Sequence, residues 1–198
     1  VGYGVVRVTR DQPWNPAYGL NLVWNTMLAF AFQWGVGVQH LEIAPGTINS
    51  SGWPEQKRRI GQFLRKARRQ VGKDYVWFPA LSGRDWKTTL TANATANVIR
   101  NLWSNAVIFC GHFPDGADKF TLEDLEDETQ AEWYLRQMLG SANFTGGPLT
   151  HFMSGNLSFQ IEHHLFPTIP SNRYAEVSEK VQELCRRWDL PYTTGPLY

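Results

Sequence analysis

Cysteine is scarce in this chain: two residues in 198, Cys110 and Cys185. Two thiols so far apart exclude a disulfide framework and a Cys-rich zinc site, and a reducing, cytosol-facing environment is expected. Net charge is nearly absent as well. Nineteen basic residues against eighteen acidic ones leave a formal +1, which excludes general binding to nucleic acid or acidic polymers through whole-molecule charge. The sequence shows no internal repeat and no low-complexity tract. Its first stretch, VGYGVVRVTRDQPWNP, has neither a methionine start nor the basic-then-apolar pattern of a secretory signal. The chain is therefore expected to be a piece of a longer protein. Histidine is also sparse, five in all, yet two of the five are adjacent.

What the chain has in plenty is large aromatic side chains, with nine tryptophans among them. Such rings collect in cores and at membrane interfaces. From Tyr18 to Val38 the sequence carries no charge for 21 residues, about the length that crosses a hydrocarbon layer of roughly 30 Å. Its two asparagines, its glutamine and its glycines leave a buried or re-entrant helix as the alternative. A basic segment follows, in which Lys57, Arg58, Arg59, Arg65, Lys66, Arg68, Arg69 and Lys73 are interleaved with Ile60, Phe63, Leu64, Ala67 and Val71 at helical spacing. This reads as an amphipathic helix at a cytoplasmic membrane surface or as an ordinary solvated helix.

Residues 74–113 read as a hairpin of two membrane-embedded helices, the second ending near His112, with Arg100 turned to protein or water because lipid would penalise its charge. The acidic stretch 115–132 reads as a solvated loop or helix face. Beyond it the pattern is helical again to about residue 190, with a break at Gly146–Pro148. Ser171 is expected to cap a helix whose apolar stripe is Tyr174, Val177, Val181 and Leu184.

Gln160, His163 and His164 lie at i, i+3 and i+4, so a helix gathers them towards one region while its roughly 100° step fans the two rings apart. Imidazole suits iron and zinc, and a ligating ring needs a second partner on its other nitrogen, a task open to Glu162 or a loop carboxylate. From the residues alone, metal binding and a hydrogen-bonded pair both remain open.

The stretch FQIEHHLFPTIPSNRY, with FMSGNLS before it, resembles the third histidine box of the membrane-bound fatty acid desaturases in its Q-x-x-H-H form. VWNTMLAFAFQWGV, SNAVIFCGHFPDG, WYLRQMLGSANF and LPYTTGP add weaker similarity to the bacterial stearoyl-CoA delta-9 type. The resemblance implies an all-α protein of membrane helices, about 18–38 and 74–113, with cytosolic cap helices, about 55–73 and 130–190. Residues 1–198 would then form the carboxy-terminal part of one multi-pass domain whose metal site faces the cytoplasm.

It also implies a centre of two iron ions, with His163, His164, Gln160 and the extra-box residue His112 as metal-site residues. His40 and His151 stay outside that set, and Asn105 lies two helical turns from His112, roughly 10 Å away. The implied reaction is oxygen-dependent introduction of a double bond into a fatty acyl-CoA or acyl lipid, with electrons from a ferredoxin-like protein or an NAD(P)H-dependent reductase. A non-catalytic lipid-binding relative and a di-iron hydroxylase are the alternatives. Two histidine boxes that precede the third in this family are missing here, so the chain alone is expected to be inactive. The basic segment 57–73 is left with three occupants: the electron donor, an acyl-CoA phosphate or anionic lipid.

Overall fold

The computed structural model describes residues 7, 14–39, 41, 52–112, 118, 120 and 127–197. The chain divides into two compact units, Val1–Asn105 and Ala106–Tyr198. The expected all-α character holds for both, apart from one pair of two-residue strands in the second.

In the first unit the uncharged run does not form one helix. A 3-10 turn, Pro16–Leu20, is capped by the Asn15 side chain and leads into α1 (Asn21–Phe30) and α2 (Phe32–Gln39), which are separated at Ala31. The break has a physical cause. The backbone N–H of Gln33 donates 3.1 Å to Oδ1 of Asn101 instead of continuing the ladder, so a tertiary bond replaces a helical one. The basic segment forms α3 (Gly52–Gly72). Its inward face packs on α2 where Phe63 meets Trp34 edge-on, ring centroids 6.3 Å apart. Gly37 is required at that crossing, because a Cβ there would lie 2.6 Å from the Phe63 ring. Buried Gln56 donates to the carbonyl of Leu41.

A π-helical turn, Lys73–Trp77, continues α3 into α4 (Phe78–Leu81). The wider turn disturbs the ladder, and side chains of the next helix supply replacement bonds. Asn93 Nδ2 donates 2.7 Å to the Asp74 carbonyl, and the buried Asp74 carboxylate accepts from Gln70 (2.6 Å) and Asn97 (3.2 Å) beside Lys73 (3.1 Å). After a 3-10 turn at Gly83–Asp85 comes α5 (Trp86–His112), ending where the sequence indicated. Arg100 bonds Gln33 Oε1, a protein partner as expected. Among the described residues no helix is long and apolar enough to cross a membrane: α1 and α2 are short, and α5 is rich in Thr and Asn.

The second unit begins inside α5. Of the acidic stretch, residues 118, 120 and 127–132 are described and the remainder lies outside the described residues. A capping box, in which Thr129 and Glu132 bond each other's backbone N–H, starts α6 (Gln130–Leu139). Then come β1 (Asn143–Phe144), α7 (Pro148–Met153), α8 (Gln160–Leu165), α9 (Tyr174–Trp188) and β2 (Thr194–Gly195), which pairs in parallel with β1.

Met138, Ile161, Leu165 and Cys185 form the core, with Phe166, Val181, Leu190 and Tyr192 packed around it. Two details of the expected α9 change. Leu184 is 54% exposed, and Cys185 takes the inward position together with Tyr174 and Ser178. Ser171 makes no cap, being the first residue of a 3-10 turn (Ser171–Arg173) that precedes the helix.

Candidate metal centre

The six-residue helix α8 is too short to hold itself together, so its environment must support it. Asn143 does much of this. Its Oδ1 accepts the Ile161 N–H at 2.8 Å, satisfying a first-turn donor that the helix leaves open. Its Nδ2 donates to Glu162 Oε2 at 2.8 Å and to the Tyr192 hydroxyl at 2.6 Å, and Tyr192 in turn donates to Glu162 Oε1 at 2.8 Å. The result is a closed ring of polar groups from β1, α8 and the segment before β2. Glu162 and Ile161 are both 0% exposed. Burial pushes the Glu162 carboxyl up from its ordinary range, against the pull of the bonds from Asn143 and Tyr192. Burial also pushes the Tyr192 hydroxyl up, reinforced by the Glu162 charge. Glu162 therefore does not orient either imidazole, contrary to the sequence reading.

Other residues do that. Nδ1 of His163 lies 3.2 Å from the hydroxyl of Tyr174, the first residue of α9, and Nδ1 of His164 lies 3.2 Å from Oε1 of Gln137 on α6. With Gln137 Oε1 as acceptor, the contact is satisfied by the His164 tautomer protonated on Nδ1, which leaves the lone pair on Nε2. That lone pair faces the Gln160 side-chain amide, whose Nε2 is 3.2 Å away. The two rings fan apart as the helical step predicts, centroids 5.6 Å apart and planes at 72°.

The structure thus brings Gln160, His163 and His164 together. It also brings up the end of α5: a Cβ on Gly111 would meet Gln160 side-chain atoms at 3.1–3.3 Å, and the Ala142 N–H donates 3.2 Å to the Gly111 carbonyl. His112, the next residue, closes α5; its imidazole lies outside the described side chains, and His40 lies outside the described residues. His151 has a place of its own in the turn before α8, with Nδ1 2.7 Å from the buried Ser158 hydroxyl and its ring stacked on Phe159 at 4.9 Å.

The donor set fits part of an iron site. Two imidazoles with their Nδ1 atoms engaged, beside an amide, are borderline ligands of the type that suits iron. Among the described residues no group of three or more His, Cys, Asp or Glu gathers for a metal, so His163 and His164 contribute a share of a ligand set rather than a whole one. Their outer partners, Tyr174, Gln137, Asn143 and Tyr192, were not found from the sequence. Each is 11 to 30 residues from its partner in α8, beyond any helical period.

A first prediction follows. Gln137→Leu and Tyr174→Phe each weaken metal retention by roughly 10–100-fold, the usual effect of losing an outer partner of a ligating histidine. Metal titration of the full-length protein checks this, and unchanged affinity in both variants would remove these residues from the site.

The sequence pattern described as fatty acid desaturase matches residues 5–196. Two proteins named NADPH-dependent stearoyl-CoA 9-desaturase, from Mycobacterium tuberculosis strains CDC 1551 / Oshkosh and ATCC 25618 / H37Rv, are each 60% identical over 199 residues, covering 98% of this chain and 47% of the relative. Fatty acid desaturase 3 of Homo sapiens is 30% identical over 99 residues, 50% of this chain and 20% of the relative. The chloroplastic acyl-lipid (7-3)-desaturase of Chlamydomonas reinhardtii is 39% identical over 74 residues, 37% of this chain and 14% of the relative. No solved structure matches the chain. The chain spans about half the length of the two mycobacterial relatives it matches. With the family pattern running through both units and across the helix that carries the paired imidazoles, the chain belongs to the fatty acid desaturase family.

Proposed function

We propose that this chain is the part of a membrane-bound acyl-CoA desaturase that carries the third histidine box. His163 and His164 would hold iron, Gln160 would stand beside them as a donor, and His112 would join from the end of α5. One observation carries the proposal: each imidazole of the pair has its Nδ1 engaged by a neutral partner inside the fold, the arrangement by which proteins direct Nε2 to a metal. The names of the mycobacterial relatives support a stearoyl-CoA class of substrate, a double bond at the 9 position and an NADPH-linked electron supply.

A bound di-iron centre supplies activation of dioxygen for the loss of two hydrogens from neighbouring methylenes, with two donor electrons and two further protons balancing the departure of oxygen as two waters. The work of this chain is positional. Ile161 and Leu165 keep water from the inner side of α8, the Asn143–Glu162–Tyr192 ring fixes the helix, and Gln137 and Tyr174 set the two rings. No described side chain is required to act as acid, base or nucleophile.

The protein is proposed to be multi-pass in the membrane, with residues 18–38 and 74–113 in or against the bilayer and the histidine pair on the cytoplasmic side; the uncharged run and the tryptophan content support this. The test is the full-length protein containing this chain, purified and assayed with stearoyl-CoA, NADPH and a reductase. About two irons per chain and an unsaturated product are expected. A hydroxylated product would move the assignment to a di-iron hydroxylase, and acyl-CoA binding with neither iron nor product would make the protein a lipid binder.

A further inference from the structure

The outward face of α3 is not an ordinary solvated helix face. Arg65, Arg69, Lys73 and Val76 follow one another at i, i+4, i+8 and i+11, a single stripe. Together with Arg68 and Trp77 they form an open cationic patch on one side of the helix. Among the described residues no carboxylate pairs with Arg65, Arg68 or Arg69. The carboxylate at the start of the helix, Glu55, is already held by Arg58 and Arg59, and Asp74 is buried beside Lys73.

The cations stand among apolar groups left in the open. Trp77 is 65% exposed, Val76 is exposed beside it, and exposed Leu64 and Val71 flank Arg68 at i−4 and i+3. Three lysines also lie over aromatic rings along this part of the chain: Lys57 over Trp53 at 5.3 Å, Lys73 over Phe78 at 5.5 Å and Lys87 over Trp86 at 5.5 Å. Helix 52–81 is continuous through its π turn, roughly 45 Å of rod at the usual rise.

We propose that this rod lies on a bilayer and that its cationic patch takes the phosphates of anionic phospholipids, with Trp77 and Val76 set among the glycerol and upper acyl groups. Charge complementarity selects an anionic occupant, and the interleaved apolar side chains select among anions. An acidic protein would match the guanidinium groups and leave the tryptophan and valine unmatched. A soluble nucleotide would occupy part of the patch and leave the row of lysine–aromatic pairs unused. A headgroup layer matches both at once, since polybasic segments are drawn to an anionic surface and aromatic rings favour the same depth. The inference shares the membrane placement proposed above but not the chemistry, and its test reads neither iron nor double bonds.

The experiment uses the whole chain, purified in neutral detergent and reconstituted by dilution onto phosphatidylcholine vesicles with or without phosphatidylglycerol, the bound fraction being read by flotation. Vesicles containing phosphatidylglycerol should bind at least roughly tenfold more tightly, an advantage that high salt removes. The triple variant R65Q/R68Q/R69Q, which keeps good helix formers, should lose the advantage; R173Q/R186Q/R187Q, which deletes as much charge elsewhere, should keep it. Circular dichroism verifies that the variants fold, and the salt arm on the unaltered chain decides the matter if the triple variant does not. Equal binding to both compositions, equal loss in the two triple variants, or displacement of the vesicles by adenosine 3′,5′-bisphosphate at matched phosphate concentration would each overturn the proposal.

Discussion

Alanine at His164 is expected to reduce double-bond formation by the full-length protein by more than roughly a hundredfold, because a ligand should cost more than the outer partners that orient it. Both nitrogens of this ring are placed: Nδ1 on Gln137 and Nε2 towards Gln160. No other described side chain can substitute, since α8 turns His163 to a different direction, towards Tyr174. His163→Ala should match it, each imidazole serving its own side of the fan. Neither change should unfold the second unit, because both rings are only partly buried and the core beneath them is Ile161 and Leu165. Iron content and product yield are to be measured together with thermal unfolding followed by circular dichroism. Loss of iron and product at a nearly unchanged midpoint is the expected result. Full activity in either variant would end the metal assignment.

The opposite pattern is expected at Asn143, where stability should fall most. Asn143→Ala withdraws three bonds at once, leaving the Ile161 N–H and one oxygen of the Glu162 carboxylate without this partner in a buried site, and the Tyr192 oxygen without it at the part-buried edge. Stranding a buried polar group costs about 1–3 kcal/mol, more when it is charged. A loss of about 3–5 kcal/mol is therefore expected, allowing for partial relaxation. For a chain of this length that is a drop of roughly 10 °C or more in midpoint. Tyr192→Phe, which removes one hydroxyl and leaves Asn143 on both partners in α8, should cost much less, about 1–2 kcal/mol. Equal midpoints for Asn143→Ala and the unaltered chain would show that the polar ring does not support α8.

These two residues mark what can be read from a sequence and what cannot. The imidazole pair was legible because its signal is local: two adjacent rings and a glutamine at helical spacing, in a stretch whose residue order resembles a known box. The basic helix and the end of α5 at His112 were legible for the same reason, each being a run of one chemical character closed by a change. Asn143 and Tyr192 were not, because an asparagine in SANF and a tyrosine in LPYTT carry no pattern of their own and gain meaning only when β1 and β2 pair.

The expectation of one long helix from Tyr18 to Val38 failed at Ala31 for a related reason. Asn101, 68 residues from Gln33, takes the N–H that the helix would have used, and composition cannot report a bond so distant. In α9 the error was one of rotation. Leu184 is more hydrophobic than Cys185, yet the inward position next to Met138 admits the smaller sulfur, with Sγ 3.5 Å from Met138 Sδ.

The parallel pairing of Thr194–Gly195 with Asn143–Phe144 also bears on how such a protein is made. Residues 190–197 are synthesised after the imidazole pair, and until they are, Tyr192 is absent and the Glu162 carboxylate lacks one of its two donors. The polar ring under the helix that presents the imidazoles closes only when translation has passed that segment. Closure of the polar ring beneath the two imidazoles is then a late event, completed by a tyrosine 30 residues downstream of Glu162.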